Sequence, residues 1–545
     1  MKRKTLALLL ALCSIAALLG GCATGDTTPA ATTAAGTTAQ GQTTAAADTT
    51  AAAIDPEAAK YGGVIKATLN ADPVSLDAGL EGGETEQIPA AHIFETALTA
   101  DISGDIFPGV CTYEFDGTTL TLTVRDGVTF HDGSAVEATD VEASMTRWLT
   151  NNSFGRNHFG NKLDKAEISG NSIICTFKES APLALTAIAR YSQGLYVMPK
   201  EICEKYPEEK LSKEDYIGTG PYKFVEHLAD RYVLVERYEA YIATDVEADG
   251  LAAPKKAYAD QIYFYPVSDK TTRITGVQTG EYDIAVGVTA NMIDTLSADP
   301  NLKIEIMDLG IMPVMIFNSA EGLGTDINLR NAIIHCLNME ELLIAAQGGP
   351  DLYYLNPSLV PKVSRYWTDI DLGKYNNVDL VKAQEYLDAS NYKGEALRFI
   401  TTTDNDYFYK TAMVVAERVK AIGIVMDVQV YDNPTLRQYR DDQTKYDIFS
   451  GGLGYYDDPV LISLLSKTWA GFYDNAEKDE FMTQIANESD YETRYALWEK
   501  VTEILYTDLP VISFGERRSP TVFKSTIHDI FETTQKIYWN TWIEH

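Results

Sequence analysis

The sequence lacks the residue patterns on which most enzymes and metalloproteins depend. Its seven histidines and six cysteines are scattered along 545 residues, with no CxxC pair and no histidines at metal-ligand spacing. GxSxG, HExxH and a phosphate-binding glycine loop are also missing. We therefore expect no metal, no cofactor and no enzymatic activity.

Positive charge is scarce. The chain has 45 Lys and Arg residues against 78 Asp and Glu residues, which gives a formal net charge of −33. Such a chain is repelled by the phosphates of nucleic acids and by acidic lipid headgroups. We therefore expect no nucleic-acid partner. The acidity itself fits a role in solubility and does not identify a ligand.

Long apolar runs are also rare, and the only one is at residues 6–19, after three basic residues at positions 2–4. The run has the length of a signal-peptide core and is short for a membrane span. The sequence LLGGC at residues 18–22 resembles the lipobox of bacterial lipoproteins. The resemblance implies that residues 1–21 are a signal peptide and that Cys22 is lipidated. The alternative is an ordinary secretory signal with a chance cysteine.

The next segment, residues 22–60, is nearly all Ala and Thr and has almost nothing to bury. Such composition predicts disorder. We interpret it as a lipid-anchored spacer that holds the folded part away from the membrane. The protein is then expected outside the cytoplasm, on the outer face of the cell membrane or in a periplasm.

Four cysteines remain beyond Cys22, namely Cys111, Cys175, Cys203 and Cys336. An exported location permits disulfides. Because spacing alone cannot establish a pairing, disulfides and buried free thiols both stay open.

From residue 61 onward, short strand patterns alternate with helical ones. Strands are predicted at residues 64–69 and 397–402, and helices at residues 88–98, 330–347 and 406–422. Thr139 or Asp140 is the predicted cap of another helix. The chain is too long for one core, so we predict an α/β protein of two or three domains.

Several short motifs occur in one order along the folded part. They are RDGVTFHDG at residues 125–133 followed by ATDV at 138–141, GTGPY at 218–222, Arg273 with GEYD at 280–283, Asn318 with LRNAI at 329–333, YD at 446–447 with GGLGYYDDP at 451–459, and LP at 509–510. In this order the motifs resemble those of bacterial ABC-transporter solute-binding proteins of family 5, the peptide- and nickel-binding class. Among these residues, His131 is predicted to make a structural hydrogen bond, because no nucleophile motif accompanies it.

The resemblance implies a two-lobed periplasmic-binding-protein-like fold (type II, large class) with an extra β-rich inserted domain. Lobe I is expected from residues 61–93, 216–310 and 512–545, the inserted domain from 94–215, and lobe II from 311–511. The resemblance further implies a monomer that captures a small molecule or peptide and delivers it to an ABC permease and ATPase complex. The chain would hinge near residues 310 and 511.

The glycine-rich loop at residues 451–459 is the main predicted ligand contact, through Tyr455, Tyr456 and Asp457. Asp404 and Asn405 are a second candidate, because they follow a strand and begin a helix, where ligands often bind in α/β sheets. The alternative for the loop is that its acidic residues cap the following helix. The polar loop at residues 70–77, together with Glu81 and Glu84, is a weaker candidate.

Relatives that bind peptides place an Asp, which pairs with the ligand's amino group, at the position of Tyr455. Its loss leaves several ligands open. We expect an oligopeptide, with an oligosaccharide or a metal chelate as the alternative within the family. An extracellular hydrolase, or a sensing protein that has lost transport, would be an alternative of another class. No motif supports the hydrolase.

Overall fold

The structure, a computed structural model, describes residues 57–456, 458–530 and 535–545. The predicted signal peptide, Cys22 and almost all of the predicted spacer lie outside the described residues, as does Asp457. In the part of the chain that is described, no helix is both long and apolar enough to cross a membrane.

The strands, in chain order, are β1 Val64–Leu69, β2 Leu98–Ala100, β3 Ile106–Pro108, β4 Cys111–Phe115, β5 Thr119–Val124, β6 Leu163–Ser169, β7 Ser172–Phe177, β8 Tyr222–Leu228, β9 Tyr232–Arg237, β10 Gln261–Pro266, β11 Ile284–Val286, β12 Leu302–Phe317, β13 Tyr353–Tyr354, β14 Leu397–Thr402, β15 Met426–Tyr431, β16 Ile448–Leu453, β17 Val511–Ser513, β18 Glu516–Lys524, β19 Ile527–His528 and β20 Trp542–Ile543.

The α-helices are α1 Glu84–Ile93, α2 Ala138–Asn151, α3 Ser153–Gly155, α4 Ala184–Ala189, α5 Lys200–Lys205, α6 Lys270–Thr279, α7 Ala290–Ser297, α8 Ile327–Ile334, α9 Met339–Gln347, α10 Leu380–Ala389, α11 Asp406–Arg418, α12 Asn433–Arg440, α13 Ala476–Asn487 and α14 Tyr491–Asp508.

One mixed sheet runs through both halves of the molecule, in the order β15-β14-β16-β12-β18-β11-β1-β10-β9-β8. The long strand β12 joins the two halves. Up to Ile311 it pairs with β18, and from Met312 it pairs with β16. Its register shifts between Asp308 and Ile311, at Gly310, whose φ of 59° lies in the left-handed region that glycine adopts without strain. The strand therefore bends where the chain crosses between the halves.

The half that carries β1 draws its core from three distant stretches of the chain. Ile65, Phe264 and Trp539 are all buried in one cluster. Apolar side chains such as these gain most from burial, so the cluster holds the three stretches together. Met198 and Leu211, which the predicted boundary gives to the inserted domain, also pack in this cluster. The domain boundaries themselves stay predictions.

The segment after α1 builds a β-rich unit. It contains the four-stranded sheet β4-β5-β7-β6 and the β2–β3 hairpin, with its own cluster of buried residues around Trp148 and Phe159. The RDGVTFHDG motif lies here in tight turns, because Gly127 and Gly133 both have positive φ. His131 donates from Nε2 to the Gly220 carbonyl (3.0 Å) and accepts at Nδ1 from the Gly218 N–H (3.3 Å), which agrees with its predicted structural role.

The other half, from β12 to β17, packs helices on both faces of β14, β15 and β16. One face holds a cluster around Phe399, and the other holds a cluster around Trp498. Strand β14 pairs in parallel with both neighbours, which is typical of a sheet covered by helices on both faces.

Three local predictions are corrected. The helix predicted at residues 88–98 is α1, which ends at Ile93, because Leu98 pairs with Pro108 in the β2–β3 hairpin. The helix predicted at 330–347 is two helices, since Asn338 accepts from the Glu341 N–H and starts α9. The cap of α2 is Glu137, whose partner in a capping box is Asp140.

The four described cysteines are free and buried. Burial raises the pKa of the Cys111 and Cys175 thiols to about 12. Of the two possibilities left open by the sequence, the structure has free thiols, and their protonated state makes them chemically inert.

Candidate functional site

A cavity of about 410 Å³ lies in the cleft between the two halves, and we call it the cleft pocket. One wall comes from the start of α1, the turn after β2, the segment after α4 and Gly250. The opposite wall comes from Ile311 and the loop after β16. The volume lies within the range of small-molecule sites.

The loop after β16 brings Gly454, Tyr455 and Tyr456 into the cleft pocket. Strand β16 is held in the sheet by β12 and β14, so the loop leaves from a fixed position. Its far end is also fixed, because Asp458 is buried in an ion pair with Arg494.

The alternative interpretation of this loop, that its acidic residues cap the following helix, applies to Asp458. Its Oδ1 accepts from the Val460 N–H (3.1 Å) and caps the short 3-10 helix Pro459–Leu461. Capping therefore belongs to Asp458, and it leaves the tyrosines available to the pocket. Asp457 lies outside the described residues, so its role as a ligand contact stays a prediction.

Tyr455 reaches across the cleft. Its hydroxyl donates to the carbonyl oxygen of Ile102, in the turn after β2. The two residues are 353 positions apart in the sequence. The bond closes one side of the cleft pocket with protein atoms alone.

Tyr456 is half-buried in the same wall. Burial raises the pKa of the Tyr456 hydroxyl, and the nearby positive charge of Arg190 acts in the opposite direction. The hydroxyl therefore stays protonated at neutral pH and can donate a hydrogen bond.

Charged groups of both signs line the pocket. Glu84 is ion-paired with Lys536. Asp101 accepts at Oδ1 from the N–H groups of Gly104 and Asp105, both at 2.9 Å. The Arg190 guanidinium lies 4.8 Å from the centre of the Phe154 ring. A ligand with separated positive and negative groups would find complementary charges here.

Tyr191 adds a polar group that its neighbours do not satisfy. Within the described residues its buried hydroxyl has no hydrogen-bond partner, although the residue lines the cleft pocket. Burial raises the pKa of this hydroxyl well above its ordinary value, with smaller contributions from Tyr196 and Glu84. An unpaired buried hydroxyl is costly, so a bound ligand or water would stabilise it.

Asp404 and Asn405 are not among the residues that line the cleft pocket. Asp404 Oδ2 accepts from the Asn433 N–H (2.7 Å), and Asn405 precedes α11 without a side-chain cap. The next residue, Asp406, is close enough to Lys270 of α6, in the other half, for that charge to lower its carboxyl pKa. Burial raises this pKa more than any single charge lowers it, but the hydrogen bond to Lys410 and the nearby charges together leave it lowered. Ligand contact by Asp404 and Asn405 stays a prediction.

Three residues that line the cleft pocket are not predicted from the sequence. Asp101, Arg190 and Tyr191 come from the inserted segment, and no motif marks them. Glu84 was only a weak candidate, and it does line the pocket. No group of three His, Cys, Asp or Glu residues in the described chain is arranged to hold a metal ion.

Two lobes with a pocket in the cleft between them are the architecture of a solute-binding protein. Residues 108–472 match the profile described as Bacterial extracellular solute-binding proteins, family 5 Middle, which is more than half of the chain. The chain belongs to this family. The predicted family and fold class are thereby confirmed, and the family is one of binding proteins, not an enzyme class.

Individual relatives agree along most of the chain. It is 26% identical over 490 residues to the Probable peptide ABC transporter periplasmic-binding protein y4tO of Sinorhizobium fredii, covering 86% of this chain and 90% of that protein. It is 23% identical over 419 residues to the Glutathione-binding protein GsiB of Escherichia coli, covering 73% and 77%. Among solved structures, the ABC transporter substrate-binding protein CtaP of Listeria monocytogenes has a TM-score of 0.77 at 20% identity and covers 89% of this chain and 100% of that one.

Proposed function

We propose that this protein is the receptor of an ABC importer and that it captures an oligopeptide in the cleft pocket. The observation that carries the proposal is the cleft pocket itself, which both lobes line and which Tyr455 closes by its bond to Ile102. The names of y4tO and GsiB, which refer to peptide and glutathione binding, support a peptide-like ligand.

The charges of the pocket support the same ligand class. A free peptide carries an amino group and a carboxylate, and the pocket offers Glu84 and Asp101 for the first and Arg190 for the second. Tyr455 cannot pair with an amino group as an aspartate does, so one of these carboxylates, or Asp457, would take that role.

The test is a thermal-shift screen of residues 57–545 with oligoalanines of two to five residues, oligosaccharides and nickel chelates. A ligand that binds only the folded protein adds about 2.7 kcal/mol of stability at a hundred times its Kd. A higher melting temperature with oligoalanines supports the proposal. A response to sugars or chelates alone would replace the peptide by that ligand, and turnover of a bound peptide would indicate a hydrolase.

Delivery to a permease is tested in cells. We expect that deletion of the gene abolishes uptake of the ligand found in the screen, and that a plasmid copy restores it. Uptake that survives the deletion, with binding intact in vitro, would favour a sensing protein over an importer receptor.

We further propose that Cys22 carries a lipid that holds the protein at the outer face of the membrane. The sequence order of basic residues, apolar run and LLGGC supports it. Cys22→Ala should release the protein from the membrane fraction and abolish labelling with a fatty-acid analogue. Cys13→Ala, which changes a cysteine inside the predicted signal peptide, is the matched control and should leave both unchanged.

A further inference from the structure

Arg365 is held in place by the helix beneath it. The backbone carbonyls of residues 365–367 accept hydrogen bonds from Tyr491 (2.5 Å), Trp498 (2.9 Å) and Tyr495 (2.9 Å) of α14. The Arg365 guanidinium also lies 4.1 Å from the centre of the Tyr491 ring. A planar guanidinium stacked on an aromatic ring loses little further freedom when it forms an ion pair.

The turn at residues 101–105 is equally well fixed. Asp101 Oδ1 accepts from Ser103 Oγ (2.8 Å) and from the N–H groups of Gly104 and Asp105. The turn has two faces. Asp101 and Ile102 line the cleft pocket, whereas Asp105 points to the second lobe and is not part of the lining.

The second lobe, which is the half from β12 to β17, contacts both faces of this turn. Arg365 Nη1 contacts Asp105 Oδ1 at 2.5 Å, and the Tyr455 hydroxyl bonds to the Ile102 carbonyl. Nearby, Lys162 Nζ donates to Asn487 Oδ1 (3.0 Å), also between the inserted segment and the second lobe. These contacts require the two sides of the cleft to be together, so opening of the cleft would break them.

We propose that Arg365 is a positioning residue for the ligand: by holding Asp105 from outside the pocket, it keeps the pocket wall formed by Asp101 and Ile102 closed against the second lobe. The inference rests on the proposed function, because it assumes that the cleft pocket binds solute. A contact made only in the closed form shifts the equilibrium toward that form, and a ligand that binds the closed form then binds more tightly.

The solvent exposure of the Arg365–Asp105 ion pair sets the loss of ligand affinity that we expect when the pair is removed. The Arg365 and Asp105 side chains are 30% and 60% exposed, and exposed ion pairs are weak because water and salt screen them. We expect about a two- to fivefold loss of ligand affinity on removal of either partner. The loss should appear in the dissociation rate, because the pair closes the site after the ligand has entered.

The experiment is a double-mutant cycle on residues 57–545 with Arg365→Gln, Asp105→Asn and the double variant. Dissociation of oligoalanines of two to five residues is measured, and the melting temperature of each ligand-free variant is recorded. Both single variants should dissociate two- to fivefold faster, and the double variant should be no worse than either. Lys165→Ala, which removes a more exposed ion pair with Glu167 within the inserted segment, should change nothing.

A second measurement needs no ligand. Spin labels on cysteines introduced at the exposed positions Glu114 and Lys420 report the distance between the inserted domain and the second lobe, and the four described cysteines are buried and free. In the ligand-free protein Arg365→Gln should shift the distances toward longer values. An unchanged distribution, or unchanged dissociation in Arg365→Gln, would overturn the role of Arg365 while solute binding stands. Failure of every oligoalanine to bind would contradict the peptide proposal, and the distance measurement would still decide the role of Arg365.

Discussion

At the scale of single residues, His92 links stability to pH. It is completely buried in α1, where Nδ1–H donates to the Ile88 carbonyl (2.8 Å) and Nε2 accepts from the Tyr538 N–H (3.1 Å). Burial lowers the pKa of His92 from 6.5 to about 4. The unfolded chain therefore binds a proton between pH 6.5 and 4 that the folded chain does not, so stability falls as pH falls through this window.

We expect the free energy of unfolding to drop by about 2 kcal/mol between pH 7 and pH 5 through His92 alone. Urea denaturation at the two pH values measures it. His92→Gln, which cannot titrate, should show a smaller drop. A remaining pH dependence is expected from His131, whose pKa burial also lowers to about 4. Equal drops in His92→Gln and the unchanged protein would contradict the assignment.

Tyr455 gives a second prediction at this scale. Tyr455→Phe keeps the ring and removes the hydrogen bond to Ile102 across the cleft. A hydrogen bond of this kind contributes about 0.5–1.5 kcal/mol, so ligand affinity should fall about two- to tenfold with little change in the melting temperature of the ligand-free protein. Calorimetric titration measures the affinity.

The matched control is Tyr506→Phe, which removes a tyrosine bond to the Pro357 carbonyl (2.8 Å) inside the second lobe. It should lower the melting temperature and leave affinity unchanged. Equal affinities for Tyr455→Phe and the unchanged protein would mean that the bond across the cleft does not contribute to binding.

Residues of the cleft pocket differ in how far the sequence predicts them. The resemblance of the motif at residues 451–459 to the family predicted Tyr455 and Tyr456 at the cleft, and both line the cleft pocket, while their contact with a ligand stays a prediction. Asp101, Arg190 and Tyr191 could not be predicted, since only tertiary packing brings them to a loop more than 260 positions away. The sequence also could not tell the role of Asp458 from that of Asp457, because only the structure shows the buried ion pair of Asp458 with Arg494.

At the scale of elements, the crossings between the lobes depend on two glycines. Gly310 lies in the irregular part of β12, and Gly515 lies between β17 and β18 with a φ of 143°. A Cβ on Gly515 would lie 2.5 Å from the Tyr354 carbonyl oxygen and 2.7 Å from Leu343 Cδ1. Gly515→Ala should therefore strain both the backbone and its surroundings and lower stability by about 2–4 kcal/mol.

Gly423→Ala is the control for Gly515→Ala in thermal unfolding. Gly423 also has positive φ (84°), but nothing lies within 4 Å of its Cβ position. Its cost should be only the backbone strain, about 1–2 kcal/mol. If the two variants melted at the same temperature, the close approach at Gly515 would not affect stability.

Most elements followed from local pattern, and the exceptions have physical causes. Helix α6 carries two local signals in the sequence, Asp269 at its N-cap and Gly280 at its C-cap, and the structure uses both. The break between α8 and α9 has a local signal as well, because Asn338 stands three residues before Glu341 and caps α9. The continuous apolar periodicity across the break led to the prediction of one helix. The helix predicted at residues 88–98 fails at its end because Leu98 pairs with Pro108 in the β2–β3 hairpin, and helical spacing in the sequence does not reveal this pairing.

At the scale of the whole molecule, the motif order predicted two lobes that close on a ligand, but it could not predict which side chains join the lobes. Contacts between the lobes, such as Arg365–Asp105, join exposed or partly exposed side chains at positions where the sequence shows no periodicity. The net charge, in contrast, is available from composition alone, and it has consequences for every ligand that approaches.

A net charge of −33 should steer ligands by their sign. Long-range attraction raises association rates at low salt, and screening over about 8 Å at physiological ionic strength removes it. The screening length shortens as the salt concentration is raised from 20 to 300 mM. Over this range we expect association of a lysine-containing tripeptide to slow several-fold and association of a glutamate-containing tripeptide to become faster. Stopped-flow fluorescence measures both, with trialanine as the uncharged control. Equal salt dependence for the three peptides would show that the charge lies too far from the cleft to act on the ligand, and its role would then be solubility alone.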